Sequence, residues 1–90
     1  THTGEMTIRC ATSRTIVLAM KLGYSLGDAI KLAVDELNEL TGGFLGGVVI
    51  HALDARGNHE VVNFQCEGEI RYWLWESSMP EPELRPARTA

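Results

Sequence analysis

The spacing of the apolar residues changes once along the chain, at the glycine-rich segment 42–47. Before this segment, apolar residues recur every three or four positions, which is typical of helices that bury one face. After it, the β-branched run Val48, Val49 and Ile50 favours a strand. Helices followed by strands predict an α+β fold with two layers.

Two helices are predicted in the first half. The first spans residues 5–22, and Gly23 after it is a common helix stop. The second spans residues 26–40, with Ser25 as its N-cap and Asp28 three residues on, as in a capping box. The short connection predicts an antiparallel helix hairpin. The expected apolar stripe of the first helix is Ile8, Ala11, Thr15, Leu18, Ala19 and Leu22.

The second half predicts three strands, 48–53, 59–65 and 70–76, joined by turns at 54–58 and 66–69. Gly57 and Asn58 are candidates for positive φ in the first turn. The glycine pair 46–47 is either a simple junction or a point of close backbone packing, and both interpretations stay open.

The third predicted strand carries large side chains on both faces. Alternation places Tyr72 and Leu74 on one face, and Trp73 and Trp75 on the other. Helices on one side of a sheet cover only one face, so this pattern indicates that the chain is part of a larger body. Residues 77–90 contain all three prolines and no periodicity, which predicts a Pro-rich surface tail after a domain of residues 1–76.

Composition excludes several classes of function. Ninety residues make one domain at most, and 12 acidic against 8 basic residues give a net charge of −4, which disfavours a nucleic-acid surface. No apolar run approaches the roughly 20 residues of a membrane helix, and no signal peptide is present. Cys10 and Cys66 lie far apart and are expected to be reduced, so a cytoplasmic protein is predicted.

The segment THTG, residues 1–4, is the candidate binding turn. A turn that enters a helix exposes backbone N–H groups without partners, which favour a carboxylate or an oxyanion. Gly4 lets a ligand approach the backbone, and the hydroxyls of Thr1 and Thr3 are further donors. Ordinary N-capping by Thr3, with no ligand, accounts for the same residues.

The order of four segments resembles the glycosylasparaginase family. They are THTGE, a helix ending in glycine, YSLGDAIKLAVDEL, and GGVVIHALDARGNHEVV. The family includes isoaspartyl peptidases and plant-type L-asparaginases, which are N-terminal-nucleophile hydrolases. The resemblance covers residues 1–65 of this chain and implies the C-terminal part of a β subunit, within an αββα four-layer sandwich.

The resemblance implies roles for the first four residues. Thr1 matches a threonine whose side chain helps to form the oxyanion hole, and His2 stands where many members have glycine, whose backbone N–H serves the same hole. Thr3 and Gly4 match positions that contact the α-amino and α-carboxyl ends of the substrate. A histidine at position 2 brings in a side chain that could narrow the site, contact substrate or titrate near neutral pH. No cofactor is implied.

The implied reaction is hydrolysis of a β-aspartyl amide through a covalent enzyme intermediate. Two positions for the threonine nucleophile are open. In the first, Thr1 is the nucleophile. In the second, the nucleophile lies upstream, on a segment outside this sequence, and Thr1 is a residue of the oxyanion hole. The second is preferred, because the family nucleophile begins a strand, whereas Gly4 and a helix follow Thr1 at once.

The implied partner is a companion polypeptide of the same precursor, comprising the α subunit and the upstream β segment, in a dimer of two-chain protomers. The alternative function is a non-catalytic α+β module that binds a partner or regulates one through its aromatic strand. A metal site of His2, His51 and His59 is disfavoured: His51 and His59 could lie close together on the hairpin, but no third ligand has suitable spacing.

Overall fold

The computed structural model describes residues 1–90 and contains three helices, α1 (Gly4–Arg9), α2 (Thr12–Lys21) and α3 (Leu26–Glu39). Five strands follow, β1 (Val48–Leu53), β2 (His59–Phe64), β3 (Arg71–Leu74), β4 (Glu83–Pro86) and β5 (Arg88–Thr89). The α+β class is therefore confirmed. None of the helices has the length and apolar character needed to cross a membrane.

The prediction of one continuous helix over residues 5–22 is wrong. The helix is broken at Ala11, which adopts a left-handed conformation with φ 48° and ψ 48°. The buried residues of the two helices are Met6, Thr12, Ile16 and Ala19, so Ala19 is the one member of the predicted stripe that is buried. Ile8 and Leu22, both placed on that stripe, are 81% and 71% exposed.

Helix α3 covers the predicted range 26–40 except for its last residue. The Ser25 side chain accepts a hydrogen bond from the Asp28 N–H at 3.1 Å, which confirms the N-cap. Gly23 ends α2 with φ 99°, a conformation that glycine adopts without strain. Helices α2 and α3 pack against each other across this short connection. The buried residues of α3 are Leu26, Ala29, Ile30, Ala33 and Leu37.

Strands β1 and β2 form the predicted antiparallel hairpin, with Leu53 opposite His59 and Val48 opposite Phe64. The turn is closed by the Asp54 N–H, which donates to the Asn58 carbonyl at 3.0 Å. Gly57 has φ 86°, as predicted, but Asn58 is not among the residues with positive φ. The Asp54 carboxylate accepts bonds from the N–H groups of Arg56 and Asn58, and these hold the turn in place of a second left-handed residue.

The third strand of the main sheet is not the predicted one. β5 pairs with β2 in parallel, giving the order β1-β2-β5, while β3 pairs with β4 in a separate two-stranded sheet. Residues 77–90, predicted as a Pro-rich surface tail, are mostly exposed. They contain β4 and β5, two strands that the sequence pattern did not predict. Gln65 and Gly68, with φ 56° and 75°, turn the chain away from β2 before β3 begins.

The core lies between the helices and one face of β1 and β2. Alternation along the strands sends Val48, Ile50, Val62 and Phe64 into a cluster with Met6 and the buried residues of α2 and α3. The other face of the hairpin meets the small sheet near its turn, where the rings of His59 and Tyr72 lie 6.0 Å apart, edge to face. Close packing at the glycine pair is confirmed, since a Cβ on Gly47 would lie 2.6 Å from the Cα of Cys66.

Candidate functional site

The first three residues extend the main sheet along β1. The Thr1 amine donates to the Val49 carbonyl at 2.8 Å, and the Val49 N–H donates to the Thr1 carbonyl at 3.2 Å. The Thr3 N–H donates to the Gly47 carbonyl at 3.0 Å. His2 lies opposite Val48 in an antiparallel bridge. Helix α1 begins at Gly4, so the four predicted site residues form one strand-to-helix turn.

The backbone of His2 faces away from β1. In an antiparallel pair, a residue between two hydrogen-bonded neighbours directs its N–H and C=O outward. Thr1 and Thr3 both bond to β1, and the His2 N–H donates to no group of the chain. His2 also has φ 74°, in the left-handed region that glycine populates freely and histidine rarely. The turn therefore presents an unpaired backbone donor at a position with glycine-like geometry.

The side chains around this donor are exposed and polar. Thr1 Oγ1 lies 3.3 Å from His2 Nδ1, so the hydroxyl and the imidazole share a hydrogen bond beside the His2 N–H. The half-buried Thr3 is the N-cap residue of α1, but its side chain makes no capping bond. A Cβ on Gly4 would meet nothing within 4 Å, so space for a ligand is open there. The Thr1 hydroxyl and the His2 N–H thus lie on the exposed side of the turn, whereas the Thr3 hydroxyl faces Gly46, where a Cβ would lie 2.8 Å from it.

The break at Ala11 shortens the helix that follows the turn. The expected dipole of an 18-residue helix reduces to that of α1, which has six residues. The site therefore depends on the individual donors of residues 1–3 and not on a helix N-terminus. Arg9 does not face the turn, because its guanidinium donates to the carbonyls of Thr41 and Gly42 at 3.0 and 2.8 Å.

A groove of about 430 Å³ adjoins the turn, between α2 and the free edge of β1. Thr1 lies at one end of it, and Ile16, Val17 and Met20 supply much of its apolar wall. The buried hydroxyl of Thr12 also lines the groove and has no hydrogen-bond partner. Sequence reasoning missed this groove, since it placed Thr12 off the apolar stripe of a continuous helix.

The remaining nucleophilic and metal-binding groups do not join the turn. No three His, Cys, Asp or Glu side chains are grouped so that they could hold a metal ion. Cys10 and Cys66 are both free and half-buried. Burial raises the pKa of the Cys10 thiol, and the Glu36 carboxylate adds to the rise, while Arg9 opposes it. The Cys10 thiolate, which would be the nucleophilic form, is therefore disfavoured.

Comparisons with protein-family models, with curated proteins and with solved structures find no match to this chain.

Proposed function

We propose that this chain is part of a hydrolase of β-aspartyl amides, of the asparaginase, isoaspartyl peptidase or glycosylasparaginase type. In this proposal residues Thr1–Gly4 supply the oxyanion hole and the substrate-binding turn. A companion polypeptide supplies the threonine nucleophile and the groups that bind the substrate carboxylate. The resemblance implies that this chain then forms part of an αββα four-layer sandwich.

The observation that carries the proposal is the outward, unpaired N–H of His2. The resembling family uses the N–H of a glycine at this position as an oxyanion donor, and His2 adopts a φ of 74° that suits glycine. The neighbouring Thr1 hydroxyl is the second implied donor, and it is exposed on the same turn. Donors fixed in advance around a developing oxyanion lower the barrier of acyl transfer.

The contacts of the Thr1 amine favour an upstream nucleophile. An N-terminal threonine nucleophile needs its amine as the base for its own hydroxyl. Here the amine donates to the Val49 carbonyl at 2.8 Å and acts as an ordinary strand donor. The nitrogen is therefore engaged in sheet pairing. This contact favours Thr1 as a residue of the oxyanion hole over Thr1 as the nucleophile.

The exposed apolar residues support a companion polypeptide. Phe44 is 77% exposed and Trp73 is 69% exposed, and Ile8 and Leu22 are exposed as well. Only 16 of the 90 residues are buried. So small a buried fraction suits a chain that packs within a larger assembly.

The first experiment is to denature the protein purified from its source and to measure intact masses, with N-terminal sequencing of each species. The proposal expects a second polypeptide that begins with threonine. The native material should release aspartate from asparagine or from an isoaspartyl dipeptide. A single species without aspartate release would exclude the proposal.

Variants of the native complex then test the role of Thr1. Thr1→Val removes the hydroxyl and should lower kcat about 10² to 10³-fold with a smaller change in KM, as expected for an oxyanion donor. Ser77→Ala removes an exposed hydroxyl outside the turn and should leave both constants unchanged. Equal activity of Thr1→Val and Ser77→Ala would contradict the assignment.

The second candidate is a non-catalytic partner-binding module. It is favoured by one observation, the pairing of exposed Trp73 with exposed Leu84 on the outer face of the β3–β4 sheet. A module of this kind predicts that the chain binds its partner with the same affinity when Thr1→Val is introduced. It also predicts that the complex has no amidase activity.

A further inference from the structure

Helix α1 needs contacts outside the core to fix its orientation. It contains six residues, of which Met6 is the only one that is buried. Helices this short are not stable in isolation. One buried side chain holds the helix at a single point and leaves rotation about that point free. Because α1 begins at Gly4, directly after the turn, such a rotation would be transmitted to the backbone of His2 and Thr3.

Two charged side chains of α1 supply these contacts. The Glu5 carboxylate accepts a hydrogen bond from the Phe44 N–H at 2.8 Å. The Arg9 guanidinium donates to the carbonyls of Thr41 and Gly42 at 3.0 and 2.8 Å. Residues four apart lie on one face of a helix. Glu5 and Arg9 therefore hold one side of α1, from its first turn to its last, against the segment that precedes β1.

The two side chains bond to this segment and not to each other. A glutamate and an arginine at this spacing commonly form an ion pair on a helix surface, but no salt bridge joins Glu5 to Arg9. The segment fits closely against both, since a Cβ on Gly43 would lie 2.7 Å from Glu5 Oε2 and 3.1 Å from Arg9 Nη1. The absence of a side chain at Gly43 is thus what lets the backbone approach both charged groups.

The same segment continues into the residues that pair with the turn. The Thr3 N–H donates to the Gly47 carbonyl at 3.0 Å, and the Gly46 N–H donates to Met6 Sδ at 3.2 Å. Segment 41–47 is therefore bonded to the turn at one end and to the length of α1 at the other. Its position sets the angle at which the helix leaves the turn.

We propose that Glu5 and Arg9 are positioning residues, which hold segment 41–47 along α1 and so fix the orientation of the helix and the direction of the His2 N–H. The catalytic part of this inference rests on the hydrolase proposal, in which that N–H is an oxyanion donor. Both side chains act through the backbone and not on the substrate. Small displacements of a catalytic group lower the rate steeply.

The test measures hydrogen exchange of single amides and the kinetic constants of the native protein, purified with any companion polypeptide. In Glu5→Ala and Arg9→Ala we expect the Thr3 amide to exchange about tenfold faster. The amides of Ile30 and Val62, in the core, should exchange as before. We expect kcat to fall about tenfold or more, with KM changed less than about threefold.

Two further variants separate positioning from a loss of charge. Arg14→Ala removes an exposed arginine that makes no hydrogen bond in the structure, and it should leave exchange and both constants unchanged. Glu5→Gln keeps an oxygen that can accept from Phe44, and it should retain most of the Thr3 protection and of kcat. If Glu5→Gln behaves as Glu5→Ala, the negative charge near the start of α1 matters and not the bond to Phe44, which would overturn the proposal.

The exchange data also separate this proposal from the hydrolase proposal. Unchanged exchange at Thr3 in Glu5→Ala and Arg9→Ala would overturn the positioning role, and so would faster exchange throughout the core, because it would show a general loss of stability. If the unaltered protein has no amidase activity, the hydrolase proposal fails. Faster exchange confined to the turn would still support the positioning role in that case.

Discussion

His2 combines a strained backbone with a position that a ligand can reach. A non-glycine residue in the left-handed region costs roughly 1–2 kcal/mol, and His2 has φ 74°. Its imidazole also contacts the Thr1 hydroxyl at 3.3 Å. The backbone of His2 is therefore strained at the same position where the turn presents its free N–H. Backbone strain of this kind is found most often at functional sites.

His2→Gly and His2→Ala form a pair that measures this strain. Both remove the imidazole, but only glycine takes a φ of 74° freely. We expect His2→Gly to have a higher free energy of unfolding than His2→Ala by about 1 kcal/mol, in urea titrations followed by circular dichroism. Equal stability of the two variants would mean that the backbone at position 2 relaxes to an ordinary conformation.

Asp54 gives the chain a defined response to acid. A hydrogen bond from the Asn58 side chain, together with the N–H groups of Arg56 and Asn58, holds the pKa of the Asp54 carboxyl below its usual value. This stabilisation is complete above the unfolded-state pKa of about 3.9, and it is lost as the pH falls through the lower folded-state pKa.

Asp54→Ala should therefore reduce the loss of stability between about pH 5 and pH 2, measured as the free energy of unfolding in urea. Glu67→Ala is the control, since it removes an exposed carboxylate that makes no hydrogen bond in the structure. If Asp54→Ala keeps the acid response of the unaltered chain, the carboxylate does not hold the turn in solution.

Among the helices and strands, the sequence predicted the features that depend on neighbouring residues. It did not predict the features that depend on how distant parts of the chain come together. The N-cap and the start of α3 and the β1–β2 turn are local, and they were predicted correctly apart from the φ of Asn58. The break at Ala11 was missed, because residues 5–22 carry a helical spacing on both sides of it. The pairing of β5 with β2 was also missed. It depends on the turn at Gln65–Gly68, which directs the chain away from β2, and the alternation of apolar and polar residues carries no information on it.

The candidate site shows the same limit. The order Thr, His, Thr, Gly was enough to predict a donor-bearing turn before a helix. That residues 1–3 pair with Gly47–Val49 was not predicted, because the two segments come together only after three helices have been placed between them. The outward N–H of His2 is a consequence of that pairing, so it too required the structure.

The contact of Gly47 with the β2–β3 turn predicts unequal effects at the glycine pair. A Cβ at position 47 would lie 2.6 Å from the backbone of Cys66, which cannot move without shifting the turn. We expect Gly47→Ala to lower the free energy of unfolding by about 1–3 kcal/mol. A Cβ at position 46 would meet the Thr3 hydroxyl at 2.8 Å, and that side chain can rotate away.

Gly46→Ala should therefore lose less than about 1 kcal/mol, and it serves as the control for introducing a methyl group into the same segment. Both values come from urea titrations of the single variants. Similar losses for the two variants would show that the approach of Cys66 to Gly47 does not limit the packing here.

The molecule as a whole is flat and open. Its principal extents are 46 × 34 × 16 Å, and its radius of gyration is 13.7 Å, where a compact domain of this length has about 12 Å. A thin molecule buries few residues, and several large apolar side chains stay at the surface. In the hydrolase proposed above, this flat chain would form one layer pair of a thicker assembly.

Trp73 and Trp75 report on this openness, since they are 69% and 61% exposed and are the only tryptophans of the chain. The isolated chain should show the red-shifted emission of indoles in water and strong quenching by acrylamide. Trp73→Lys should change the free energy of unfolding by less than about 0.5 kcal/mol, as for other surface substitutions. Blue-shifted emission resistant to quenching would contradict the exposed placement.

Because residues 1–3 pair with β1, the chain could be cut into two fragments that remain in contact. The exposed segment Thr41–Leu45, with two glycines at positive φ, is the only covalent link between the helices and strands β1–β5. The strand Thr1–Thr3 pairs with the sheet but is joined in sequence to the helices. A cut within Thr41–Leu45 would therefore leave a helical fragment whose own strand is paired with the sheet of the other fragment. We expect two fragments produced by such a cut to stay associated, because the strand of one completes the sheet of the other.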